Sequence, residues 1–152
     1  MNIVNTAMLF FPTLPDREQL RTAAAEAYGL PASDVAVGVY RWDANPFPPG
    51  HRLYLNLWNS EEDEHYAGDL PFSYDQCVDG RMVDDLSSRI QRLAELLGMM
   101  VVTNDHEGDP AFIHLPDGTT VRRALEELPE GGLLLPDDLK AIVAAERPAR
   151  AA

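Results

Sequence analysis

Apolar residues recur along this chain with two different periods, and the order in which the periods alternate limits the folds open to it. A period of two marks a half-buried strand, and a period near 3.6 marks a helix. The segment Ile3 to Phe11 alternates apolar and polar side chains and reads as a first strand. Leu20, Ala24, Ala27 and Tyr28 then recur at helical spacing, with Thr13 as an N-cap and Pro15 in the first turn, where a missing N–H costs nothing. Gly29 and Pro31 end that helix. "DVAVGVYRW", Asp34 to Trp42, puts Val35, Val37 and Val39 on one strand face. "RLYLNLW" puts Leu53, Leu55 and Leu57 on one face and Tyr54, Asn56 and Trp58 on the other. From Met82 to Leu97 the stripe Val83, Leu86, Ile90, Leu93, Leu97 is helical, with Asp85 and Arg89 as a favourable i,i+4 pair and Gly98 at the C-cap. "MMVVT" follows as a strand.

The resulting order is β-α-β-β-α-β. It predicts an α+β fold with an antiparallel sheet in ferredoxin-like order and two helices on one face. Phe72 to Val78 fits an extra strand at a sheet edge. Beyond Pro110, Ala111–Leu115 and Thr119–Arg123 flank "PDGT", a hairpin turn in which Gly118 can take positive φ. "GGLLLP" reads as a loop or short strand. Pro136 opens a last helix, with Asp137 and Asp138 in its first turn and Leu139, Ile142 and Val143 as docking residues. The expectation is one α+β domain over residues 1–146, extended by a C-terminal β-hairpin and helix, with 147–152 as a flexible tail.

Charge narrows the function classes. The net charge is -13, and residues 61–109 hold 13 acids against 3 bases, which places a net -10 in the middle third. Such a field repels phosphate backbones and anionic membranes, so neither nucleic acid nor membrane is an expected partner. A basic protein partner would be steered in quickly. No apolar run approaches the roughly 20 residues that span a bilayer, and the first residues lack a basic signal-peptide region. Cys77 is the single cysteine, so no intrachain disulfide can form and a cytoplasmic setting is expected.

Two acidic stretches invite catalytic readings. "NDHEGDP" offers Asp105, His106, Glu107 and Asp109 as oxygen and nitrogen donors, yet its spacing fits no EF-hand and no second ligand run completes a set. Gly108 and Pro110 suit a plain turn between two strands. "SEEDEHY" brings Glu61, Glu62, Asp63 and Glu64 next to His65, without an H-E-x-x-H metal motif. Cys77 lacks a Gly-rich elbow or flanking bases and reads as a half-buried strand residue. His114, with Ile113 and Leu115 on the opposite face, reads as a surface or cross-strand residue. Tyr54 and Trp58 share a face that core packing or a ligand groove would use. No metal or cofactor is expected.

"LYLNLWNSEEDEHYAGD" together with "VVTNDHEGDPAFIHLPDGTTVRRAL" resembles the small acidic immunity proteins of bacterial toxin–immunity pairs, over about half the chain. The resemblance implies a cytoplasmic, non-enzymatic inhibitor that binds and neutralises a basic toxin domain. It implies a contact set of Glu61, Glu62, Asp63, Glu64, Asp105, Glu107 and Asp109 standing in for phosphates, with Tyr66 or Phe72 as an aromatic anchor. Monomer or small homo-oligomer is the expected state. The alternatives are a metal-assisted enzyme using His106 with its neighbouring carboxylates, and a small-ligand sensor domain.

Overall fold

A computed structural model describes residues 3–39, 50–57, 70, 72–81, 86–104, 110–127 and 133–143. Strand β1 spans Ile3–Phe11, as its alternation predicts, with one irregularity between Asn5 and Ala7. Helix α1 runs Arg17–Tyr28 and is capped by Asp16, whose carboxylate accepts from the Gln19 N–H. The cap is therefore three residues later than Thr13, because Asp16 reaches the third helical amide and leaves Pro15 outside the helix. Gly29 closes α1 at φ 68°, with its N–H and that of Leu30 returned to the last turn. The guanidinium of Arg89 donates to the Tyr28 carbonyl and sets a cation at the negative end of α1. Asp85, the partner expected for Arg89, lies outside the described residues.

A short 3₁₀ turn, Ala32–Asp34, leads into β2 (Val35–Val39), and β3 follows at Leu53–Leu57. Strand β4 is Phe72–Asp79, α2 is Leu86–Leu97 and β5 is Val101–Asn104. Strands β6 (Ala111–His114) and β7 (Thr120–Arg123) form the expected hairpin, with Gly118 at φ 99° in its turn. A second small sheet pairs β8 (Glu126–Glu127) with β9 (Leu133–Leu134). Residues 137–143 are helical (α3), directly after Pro136.

The main sheet has seven strands in the order β2-β3-β4-β1-β5-β6-β7. The architecture is α+β, but the sheet is mixed and not all antiparallel as expected: β2 and β3 run parallel. Thirteen residues, 40–52, separate them, enough for the crossover that parallel neighbours require, whereas a two-residue hairpin would have made them antiparallel. The strand starts are tied together: the Arg52 N–H donates to the Asp34 carbonyl at 2.9 Å, and the Arg52 guanidinium pairs with the Asp34 carboxylate at 2.9 Å. A second correction concerns Phe72 to Val78. This stretch is no edge strand but sits between β1 and β3, hydrogen-bonded on both sides. Its polar residues hide that role in the sequence, for Ser73, Asp75, Gln76 and Asp79 are all buried.

Alternation sends the strands' side chains to two faces. Against α1 and α2 lie Leu9, Phe11, Leu53, Leu55, Leu57, Tyr74, Val78 and Val101, packed on Leu20, Ala24, Tyr28, Ile90 and Leu93. The opposite face carries Met100, Val102, Ala111 and Ile113, packed with Leu70, Leu133, Leu135, Leu139 and Val143 from the C-terminal segment. The docking residues foreseen for the last helix thus do dock, and they cover the face that α1 and α2 leave open. No helix among the described residues is long and apolar enough to cross a membrane.

Candidate functional site

The acidic residues predicted to meet a partner, Glu61, Glu62, Asp63, Glu64, Asp105, Glu107 and Asp109, lie outside the described residues, as do Tyr66, His65 and His106. The structure does define the framework between which they are strung. Residues 58–69 contribute Glu61, Glu62, Asp63, Glu64 and Asp69; residues 82–85 contribute Asp84 and Asp85; residues 105–109 contribute Asp105, Glu107 and Asp109. None of these three stretches contains a Lys or Arg. The described framework from Leu70 to Asn104 has Asp75, Asp79 and Glu95 balanced by Arg81, Arg89 and Arg92. All of the surplus negative charge of the middle third therefore falls on residues outside the described ones.

Strand direction gives those connections different points of departure. The register pairs Phe11 with Phe72, Leu9 with Tyr74 and Tyr74 with Leu57, so β3 ends and β4 begins at the Phe11 end of β1. Met8 pairs with Asn104 and Phe10 with Val102, so β5 ends pointing towards the Ile3 end. Asp79, the last residue of β4, pairs with Ile3 itself. The chain thus leaves β3 for the Glu61–Glu64 stretch at the Phe11 end of β1, leaves β4 at the Ile3 end, and leaves β5 beside Met8, between the two.

Among the described residues no group of three or more His, Cys, Asp or Glu side chains could hold a metal ion. Cys77 is buried on β4, and burial, with the Asp75 carboxylate adding to it, pushes its thiol up to about 11. At neutral pH that sulfur is a thiol, which suits a packing residue and not a nucleophile. His114 is buried, with 1% of its surface exposed, and corrects the expectation of a surface residue. Its Nδ1 lies 3.1 Å from Gln91 Oε1 on α2, which also accepts from the Thr120 hydroxyl at 2.6 Å, while Gln91 Nε2 donates to the Leu115 carbonyl at 2.8 Å. Burial lowers the imidazole to about 4, so the ring is neutral and, facing an amide oxygen, carries its proton on Nδ1. The arrangement latches α2 to the β6–β7 hairpin.

Sequence reasoning also missed a polar strip on the face opposite the helices. Tyr54 and Asn56 on β3 and Ser73, Asp75 and Cys77 on β4 share it by alternation, and all are buried. Asn56 stands directly across from Asp75 and Tyr54 from Cys77. Among the described residues Asn56 Oδ1 and Ser73 Oγ are buried without a hydrogen-bond partner. The alternation of "FSYDQCVD" would show which residues share a face, but not that the polar one is covered. Phe72, one candidate aromatic anchor, is half-buried against the helix-side core, so its ring is committed to packing. Tyr54 is likewise buried, and Trp58 lies outside the described residues. No family model matches the chain, and no curated protein and no solved structure matches it either.

Proposed function

We propose that this chain is a non-enzymatic binding protein of the immunity type, which neutralises a basic protein domain. The observation that carries the reading is the charge map: residues 61–109 hold 13 acids against 3 bases, and residues 58–69, 82–85 and 105–109 hold ten of those acids with no Lys or Arg. Carboxylates gathered in connections raise the local potential where a partner first meets the surface, and this speeds the encounter with a cationic surface. The buried thiol of Cys77 and the neutral His114 latch support the same reading, since both are used for packing. A reducing, cytoplasmic place of action goes with it. We read β3-β4-β1-β5, with α1 and α2 on one face, as a ferredoxin-like unit to which β2 adds a parallel edge strand.

The product of the adjacent open reading frame is the first partner to test. Reversal of Glu61, Glu62 and Glu64 to Lys should slow association by about tenfold at low salt and lose its effect at high salt. Reversal of Asp105, Glu107 and Asp109 should be measured separately. If stopped-flow rates of association and dissociation are unchanged in both triple variants, the acidic connections do not guide a partner and the reading falls.

A further inference from the structure

The two edges of the main sheet are finished differently. At β2 the Asp34 carbonyl turns towards β3, where it accepts from the Arg52 N–H, so the backbone groups of Val35 turn outward. They are taken within the chain: the Val35 N–H donates to the Ala32 carbonyl, and the Val35 carbonyl accepts from Arg21 Nε at 3.1 Å. At β7 the Leu115 N–H donates to the Thr119 carbonyl at 2.8 Å, which makes 115–119, 113–121 and 111–123 the bonded pairs of the hairpin. The N–H and carbonyl groups of Thr120 and Arg122 therefore point away from β6, and they have no partner among the described residues. Both residues are exposed. Charged side chains standing off an edge strand deter pairing. Those of β7 are drawn back onto their own chain: Arg122 lies over the Phe112 ring of β6, 5.4 Å from its centroid, and Arg123 Nη1 donates to Asp138 Oδ2 at 2.6 Å. The strand thus offers a bare backbone edge with its long side chains folded inward.

We infer that this edge pairs with the β7 edge of a second copy of the chain, antiparallel and two-fold symmetric, with Val121 opposite Val121. The strand is self-complementary in that register. Thr120 faces Arg122 of the second copy on both sides of the axis, and each of those pairs exchanges both backbone bonds. Arg123 faces Thr119, so no Arg stands opposite another, as it would with Arg122 on the axis. Alternation puts Val121 on the face of Ala111 and Ile113, where it already packs on the C-terminal core. Its contact with Val121 of the second copy joins the two cores across the axis. Residues 119–123 hold two Arg and no acid, so this strand is free of the negative charge by which an acidic chain repels its own copies. An isologous contact of this kind is the commonest way in which copies of one chain associate. The inference is independent of the binding-protein reading, whose acids lie elsewhere in the chain.

The test uses the full chain, in sedimentation velocity and in amide hydrogen exchange followed by NMR. Rising concentration should carry the wild type from monomer to dimer. It should slow exchange at the Thr120 and Arg122 amides, while those of Val121 and Arg123, already bonded to β6, stay slow throughout. Arg122→Pro removes an outward N–H and leaves the ladder to β6 intact, and it should weaken the dimer by at least about tenfold. Thr120→Arg sets like charges opposite each other twice and should weaken the dimer by about tenfold, whereas Thr120→Glu should tighten it by about the same factor. Both lose the same hydroxyl contact to Gln91, so a difference between them reports the pairing and not the fold. A wild type that stays monomeric at high concentration overturns the inference. So does a dimer in which Thr120→Arg and Thr120→Glu associate alike, or one that leaves the Thr120 and Arg122 amides unprotected, for then the copies meet on another surface.

Discussion

On the helix side of the sheet, Leu9, Phe11, Leu53 and Leu55 meet α1 and α2 in a continuous apolar core. Gln76 inserted there is paired, since the Tyr28 hydroxyl donates to its Oε1 and its Nε2 donates to Thr6 Oγ1 at 2.9 Å, while Arg89 Nε on α2 is buried without a partner among the described residues. The opposite face is divided. Its β5–β6 half is apolar and packs under Leu133, Leu135 and Leu139, while its β3–β4 half buries Asn56, Ser73, Asp75 and Cys77. Burying a polar atom costs little when a partner replaces water and about 1–3 kcal/mol when none does. The two faces differ in how much polar surface they bury: a continuous apolar core with a few polar groups on the helix side, and on the other an apolar half beside a polar one.

That contrast can be broken most directly at the two cores. Leu93→Ala, at a fully buried site on α2 in the helix-side core, should cost about 3 kcal/mol in urea unfolding, and Leu139→Ala on the opposite face about 2 kcal/mol. If Leu139→Ala proves the costlier, the helix side is not the dominant core. Tyr28→Phe leaves Gln76 Oε1 without its donor in the core and should cost about 1–2 kcal/mol.

His114 supplies a pH test on the helix side. Its folded value of about 4 lies below the ordinary 6.5, so the unfolded chain binds the proton more readily. The contribution is complete above pH 6.5 and is lost as pH falls from there towards 4. The urea midpoint should drop between pH 7 and pH 5, and His114→Gln should shrink that drop; an equal drop in both proteins would show that other groups cause it. The smallest effect is expected on the polar strip. Ser73→Ala removes a buried hydroxyl that has no partner among the described residues, so stability should stay level or rise by up to about 1 kcal/mol. A loss larger than that would mean the hydroxyl is engaged in solution.

Much of the local structure is legible in the sequence. The strand Ile3–Phe11, the Gly29 cap, the "PDGT" hairpin and the helix after Pro136 all follow from signals within a few residues of one another. The N-cap moved from Thr13 to Asp16 because a single side-chain contact, to the Gln19 amide, decides it. Of the proposed binding surface, the charge map is legible from composition and order alone. His114, read as a surface or cross-strand residue, is buried, and the sequence hid this because Gln91 on α2, which it faces, is distant in sequence.

The sequence by itself determined most of the strands and helices, where several of them stop, and how strongly acids outnumber bases in the middle third. Those features depend on backbone preference, on spacing within a turn or two and on the order of charges. Only the tertiary structure decided that β4 lies inside the sheet and that β2 runs parallel to β3. Strand pairing is chosen by burial and hydrogen bonding across the whole sheet. A strand with polar alternation can therefore become central when the layers around it cover both of its faces.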